Sequence, residues 1–237
     1  MVNRPWSISR RPENTLETRD YRIDVGSGIQ VSGLLLQPEP AHALLVLGHG
    51  AGAGMRHPFM EALARELAAV GIASFRYQFP YMEDHRRVPD SPLVLTTTVQ
   101  AAVRTAAEEA PGLPVLAGGK SMGGRMTSQA AAEGKLEGVR GLVFFGFPLH
   151  PPKRPATKRG EHLSGVRIPM LFLQGTRDEL ADLTLLHPIV KDLGALATMH
   201  VINGADHSFH VLKSSGNTDS AVLRELAETT ASWAQNK

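Results

Sequence analysis

The segment Val115-Leu116-Ala117-Gly118-Gly119-Lys120-Ser121-Met122-Gly123-Gly124 leads from an apolar run through a tight turn into a helical stretch, and it holds G-x-S-x-G at Gly119, Ser121 and Gly123. A serine on such a turn is lifted clear of its sheet, and the crowded backbone around it demands glycines two positions to either side. The helix that follows points free N–H groups at whatever the hydroxyl attacks. The chemistry this suggests is nucleophilic attack by Ser121 Oγ. A hydroxyl is a poor nucleophile until a base takes its proton, so a histidine must reach it.

That base should lie on the loop behind the last strand. Met199–Ile202 is the last strand expected, and Asn203-Gly204-Ala205-Asp206-His207-Ser208-Phe209 follows it, so His207 fits. His210, three residues on, is its rival. The acid that orients the imidazole should follow the preceding strand, where Met170-Leu171-Phe172-Leu173-Gln174-Gly175-Thr176-Arg177-Asp178-Glu179 offers Asp178. Glu179 and Asp206 are weaker candidates, and Asp206, beside the histidine, better suits a turn. The order Ser121, Asp178, His207, each behind its own strand, is more specific than any one motif. For the developing oxyanion, Met122 N–H is one expected donor. Ala51 N–H, in Gly48-His49-Gly50-Ala51-Gly52-Ala53-Gly54, is the other.

Two rival motifs are weaker. Gly48, Gly50 and Ala53 match a relaxed dinucleotide fingerprint; that motif needs an acidic residue at the end of the next strand, and Phe75-Arg76-Tyr77 has none, although Arg76 could accommodate a 2′-phosphate and keeps this reading as a minor alternative. Gly119-Lys120-Ser121 resembles the end of a phosphate-binding loop whose first glycine would be residue 114, which is Pro114. The histidines form no H-E-x-x-H or comparable pairing, so neither metal nor cofactor is expected.

The elements that must position these residues alternate along the chain. Thr18–Val25 and Ile29–Leu36 flank Gly26-Ser27-Gly28 and read as an antiparallel hairpin. Ala43–Leu47, Ile72–Phe75, Val115–Ala117, Val139–Phe145, Met170–Leu173 and Met199–Ile202 are apolar without alternation, as strands buried on both faces must be. Helical spacing marks Phe59–Val70, Val94–Ala110, Arg125–Glu133, Leu183–Leu193 and Ser220–Gln235. The expected fold is α/β: a mainly parallel sheet with an N-terminal antiparallel hairpin and helices on both faces. Tyr81–Pro92 and Pro148–Glu161, rich in Pro and charge, read as loops at the ligand-binding end.

Composition sets outer bounds. A chain of 237 residues, 42% hydrophobic and 20% charged, can bury one α/β core, so residues 1–237 are read as a single domain. Lys and Arg total 25 against 23 Asp and Glu, which predicts no nucleic-acid partner. The basic run Lys153–Arg159 reads as a solvated loop. With no cysteine, the mechanism must use oxygen and nitrogen chemistry. Met1–Pro12 lacks a signal-peptide core and no run of about 20 apolar residues follows, so no membrane association and a cytoplasmic location are expected.

The motifs named so far, with Arg76-Tyr77-Gln78-Phe79-Pro80-Tyr81-Met82 and Gly146-Phe147-Pro148-Leu149-His150, resemble the α/β-hydrolase superfamily across nearly the whole chain. The likeness is to its dienelactone-hydrolase-like members, in particular the group that includes a subunit of the NSL chromatin complex. The resemblance implies the α/β-hydrolase fold and a Ser-His-Asp triad. Dienelactone hydrolases use a cysteine nucleophile, so their lactone specificity does not transfer to a chain that has Ser121 instead. An esterase or thioesterase acting on a small-molecule ester or thioester is expected, with a non-catalytic binding or scaffold protein on the same fold as the alternative. No long insertion follows Gly146–Leu149, so no cap domain is expected and the acyl group should be small or medium. Tyr77, Phe79, Tyr81 and Met82 from one loop, and Phe147, Leu149 and His150 from another, are the expected walls.

Overall fold

The computed structural model describes residues 16–236; the Met1–Pro12 segment read above lies outside them. An unbroken apolar strand needs cover on both faces, and the chain supplies it with one eight-stranded sheet in the order β1-β2-β4-β3-β5-β6-β7-β8. The hairpin β1 (Thr18–Gly26) and β2 (Ile29–Leu36) forms one edge and joins β4 (Ile72–Tyr77) antiparallel. From β4 onward all neighbours are parallel: β3 (Ala43–Gly48), β5 (Val115–Lys120), β6 (Val139–Phe145), β7 (Met170–Gly175) and β8 (Ala197–Ile202).

The side-chain period of two splits each strand between two cores. Leu45, Leu47, Val143, Phe145, Leu171 and Leu173 face α1 (Pro58–Ala69) and α6 (Asp219–Ala234), which contribute Leu63, Leu67, Val222 and Leu226. Leu44, Val46, Phe75, Phe144 and Phe172 face the other way, against α3 (Pro92–Glu109), α4 (Met122–Ala132) and α5 (Leu183–Asp192). Each such side chain, buried fully, contributes roughly 1.5–3 kcal/mol. This is the expected fold, helices on both faces of a mainly parallel sheet, and β6 passes to β7 without a cap domain.

Two segments read as loops carry structure. Pro80–Glu83 forms a one-turn helix, α2, entered through Pro80 at its first turn, where a missing N–H costs nothing. Lys158–Gly165 winds into a 3-10 helix that packs on α4. Helix α4 also starts three residues earlier than its side-chain spacing suggests, because Met122-Gly123-Gly124 has weak helix propensity and is held by contacts instead. A methyl group on Gly119 or Gly123 would run into the Gly48 carbonyl oxygen, so β3, β5 and α4 meet backbone to backbone there.

Candidate active site

Ser121 sits between β5 and α4 at φ 51° and ψ −116°, a left-handed conformation in which a residue with a side chain is strained. Its N–H donates to the Phe145 carbonyl at 3.1 Å and its carbonyl accepts from Arg125 N–H at 3.1 Å, which holds the turn from both sides. The side chain thereby stands above the carboxyl ends of the parallel strands. The N–H of Met122, first in the helix, has no carbonyl one turn back in the helix to bond.

The loops after β7 and β8 bring two side chains to it. His207 Nε2 lies 2.9 Å from Ser121 Oγ, and His207 Nδ1 lies 2.7 Å from Asp178 Oδ2. Facing a carboxylate, Nδ1 carries the proton, which leaves Nε2 as acceptor for the serine hydroxyl. The Asp178 side chain is wholly buried, whereas that of His207 is 23% exposed, so the base meets solvent and the acid does not. The carboxylate is held further: Gln174 Nε2 donates to Oδ2 at 2.5 Å and Leu180 N–H to Oδ1 at 2.8 Å. Gln174 turns its other end to Phe147 N–H at 2.9 Å. Its part was not read from the sequence, although a polar residue closing the apolar run of β7 needs a buried partner. Such an array can draw a proton from Ser121 and hold it on an imidazolium beside a fixed negative charge.

The rival groups are engaged elsewhere. His210 faces Asp219 at 2.9 Å, Asp206 Oδ1 accepts from Ser208 and His210 N–H at 2.8 and 3.0 Å as a turn residue does, and Glu179 is exposed. A second serine–histidine pair, Ser128 Oγ and His162 Nε2 at 2.7 Å, ties α4 to the 3-10 helix. Ser128 is fully buried and spends its proton on the Arg125 carbonyl at 2.9 Å, so His162 is the donor to it. Burial, then the nearby Arg125, pushes His162 down to about 4, which keeps it neutral.

A cleft of about 310 Å³ opens beside Ser121, with Ala51, Ala53, Phe59, Met60 and Leu180 among its walls. None of the seven expected wall residues lines it. Tyr77, Phe79, Tyr81, Phe147 and Leu149 are fully buried, His150 is 4% exposed, and Met82 is half-buried against Gly54. The first group instead braces the glycine-rich loop from behind. Phe79 N–H donates to His49 Nε2 at 3.1 Å, the Tyr81 hydroxyl accepts from Gly52 N–H at 3.0 Å, and Gln78 accepts from Met55 N–H at 2.8 Å. Burial pushes His49 down to about 4, so it stays neutral and gives its Nδ1 proton to the Gly50 carbonyl at 2.7 Å. These bonds brace the loop on either side of Ala51, which lines the cleft. Phe147 packs on Phe144 and Phe172, and His150 Nε2 accepts from Asp182 N–H at 2.8 Å, both behind the loop that holds Asp178. Among the described residues no three His, Asp or Glu side chains group as metal ligands, and no helix is long and apolar enough to cross a membrane.

Solved structures share this architecture at low identity. A dienelactone hydrolase from Anabaena variabilis matches with a TM-score of 0.73 at 21% identity, over 93% of this chain and 97% of that one. An α/β serine hydrolase without a lid from Xanthomonas campestris matches at 0.68 and 21%, over 90% and 94%. The esterase domain of a Rhodothermus marinus protein matches at 0.69 and 15%, over 93% and 98%. At the level of sequence families, the model for the alpha/beta hydrolase domain matches residues 41–235. The chain therefore belongs to the α/β-hydrolase family.

Proposed function

We propose that this protein is a serine hydrolase that cleaves small or medium carboxylic esters or thioesters through an acyl-enzyme on Ser121. The observation that carries this reading is the hydrogen-bonded chain from Ser121 through His207 to Asp178, on a strained turn beside a small apolar cleft. Ser121 Oγ attacks the carbonyl carbon as His207 Nε2 takes its proton, and Asp178 stabilises the imidazolium. The carbonyl oxygen becomes an oxyanion held by the N–H groups of Met122 and Ala51. Collapse expels the alcohol or thiol, which leaves with the proton from His207. Water then attacks the acyl-serine carbonyl as His207 takes its proton; the acyl–Oγ bond breaks, His207 returns the proton to Ser121 Oγ, and the acid departs.

The bracing of the glycine-rich loop by His49, Tyr81 and Gln78 supports the oxyanion role of Ala51, because a donor helps catalysis only if it need not reorganise. The apolar walls support an acyl group of limited size. One sheet holds all eight strands of the described residues, which favours a single domain across the chain. The likeness to the group with an NSL-complex subunit, and a cytoplasmic location, belong to this reading as well.

A fluorophosphonate probe should label the wild type at Ser121, and Ser121→Ala should abolish both labelling and hydrolysis of short p-nitrophenyl esters, a loss of several orders of magnitude in rate. Turnover like the wild type in a folded Ser121→Ala variant overturns the proposal. Absence of labelling together with absence of turnover in the wild type would favour a binding or scaffold protein on the same fold.

A further inference from the structure

We propose that Lys120 is a positioning residue that ties the His207 loop to the nucleophile turn, so that base and serine are held in register by one side chain next to the serine in sequence. The inference rests on the reading of Ser121 and His207 given above. Lys120 Nζ donates to the main-chain carbonyl of His207 at 2.6 Å, a short bond that spans from the end of β5 to the loop after β8. A charged donor on a carbonyl is about twice as strong as a neutral one. The ammonium also lies 5.9 Å from the ring centre of Phe59 and 5.5 Å from that of Phe209, and the two rings stack at 5.8 Å. It is thus gripped by α1 and by the His207 loop together.

Two features of the surroundings fit a built site for this ammonium. Gly146, at φ 71°, leaves it room: a methyl group there would come within 3.1 Å of Nζ and 3.5 Å of both Asp178 Oδ2 and His207 Cε1. Phe209 adopts φ 62°, unfavourable for a bulky residue, so the His207 loop is strained and needs outside contacts to keep its shape. The charged groups facing Lys120 are Asp178 and Asp206. Burial lowers Lys120 to about 8 against the pull of these carboxylates, so it is charged at neutral pH and sits in a site that penalises any ammonium lacking its partner.

The test uses Lys120→Met and Lys120→Gln, which keep the length or the polarity of the side chain but remove the charge. Hydrogen exchange across residues 203–211 should rise about tenfold in both, with peptides from β5 and α4 unchanged. With a short p-nitrophenyl ester, kcat should fall about tenfold to a hundredfold while KM stays within about twofold, because misplacing the base costs the transition state and not substrate binding. Exchange in that loop at the wild-type rate overturns the tie, and unaltered kcat with the loop loosened overturns the positioning role. If the wild type neither turns over nor takes the fluorophosphonate but the loop still loosens in the variants, the tie stands and the hydrolase reading falls.

Discussion

Asp178 and Asp206 are carboxylates close to the same histidine, and their hydrogen bonds separate what each does. Asp178 spends its oxygens on His207, Gln174 and Leu180 N–H, whereas Asp206 Oδ1 spends its lone pairs on two backbone N–H groups of its own turn. Replacing Asp178 with Asn presents the imidazole with an N–H and inverts its tautomer, so Asp178→Asn should lower kcat by roughly 10⁴. Asp206→Asn keeps an acceptor and should change melting temperature more than kcat. The reverse pattern in the two purified variants would move the acid to Asp206. At this scale the sequence was informative where a role demands a residue type at a set place in the chain order, as for Ser121, His207 and Asp178. Lys120 and Gln174 escaped because a polar side chain at a strand end has many possible partners, and only the folded chain selects one.

At the scale of elements, the loop that carries His207 is closed at its far side by α6. Asp219, the first residue of that helix, accepts from Val211 N–H at 3.0 Å and faces His210 Nδ1 at 2.9 Å, while Ala205 bridges to Val211. A carboxylate there also favours the helix N-terminus. The hydrogen bond and charge of Asp219 raise His210 above the usual 6.5, and the hydrogen bond of His210, then that of Val211 N–H, and less so the charge of His210, lower Asp219 below 3.8. The sign follows from proton linkage. The histidine's contribution is whole below its unfolded value and fades as pH rises through its folded one, and the carboxylate's is lost only as pH falls through its lowered value. Asp219→Asn should therefore reduce the melting temperature more at about pH 5.5 than at about pH 8.5, by a small amount because both side chains are exposed. An equal deficit at the two pH values would mean that the charge pair contributes nothing. The strands were legible for a related reason of scale: a sheet covered on both faces requires unbroken apolar runs, and Ala43–Leu47 and Met170–Leu173 are such runs inside β3 and β7. The 3-10 helix at Lys158–Gly165 was hidden, since its basic, glycine-containing sequence has no periodic apolar face and it forms by packing on α4.

For the whole molecule, substrate range depends on which side of the sheet's carboxyl end each aromatic residue occupies, and that depends on packing across distant segments. Phe147 illustrates the point. Its sequence neighbours suggest a loop residue over the site, yet it is fully buried between Phe144 and Phe172, in the core that α4 and α5 cover. Truncating it leaves a cavity away from the cleft, so Phe147→Ala should cost about 3–5 kcal/mol of stability and leave acyl preference where it was. Leu180 is the contrasting case, because it is half-buried on the wall beside Ser121 while only its backbone N–H supports Asp178. Leu180→Ala widens the cleft by three carbons without touching that bond. Each methylene newly buried is worth about 0.8 kcal/mol, so the optimum in kcat/KM across an acetyl-to-palmitoyl ester series should move toward longer chains by one to a few carbons, with up to about fourfold per carbon at the new optimum. With an open cleft and no cap domain, the wild-type series should level off or decline beyond medium chains. A wild-type profile that keeps rising to palmitoyl, or an optimum that Phe147→Ala moves and Leu180→Ala does not, would place the acyl site outside this cleft.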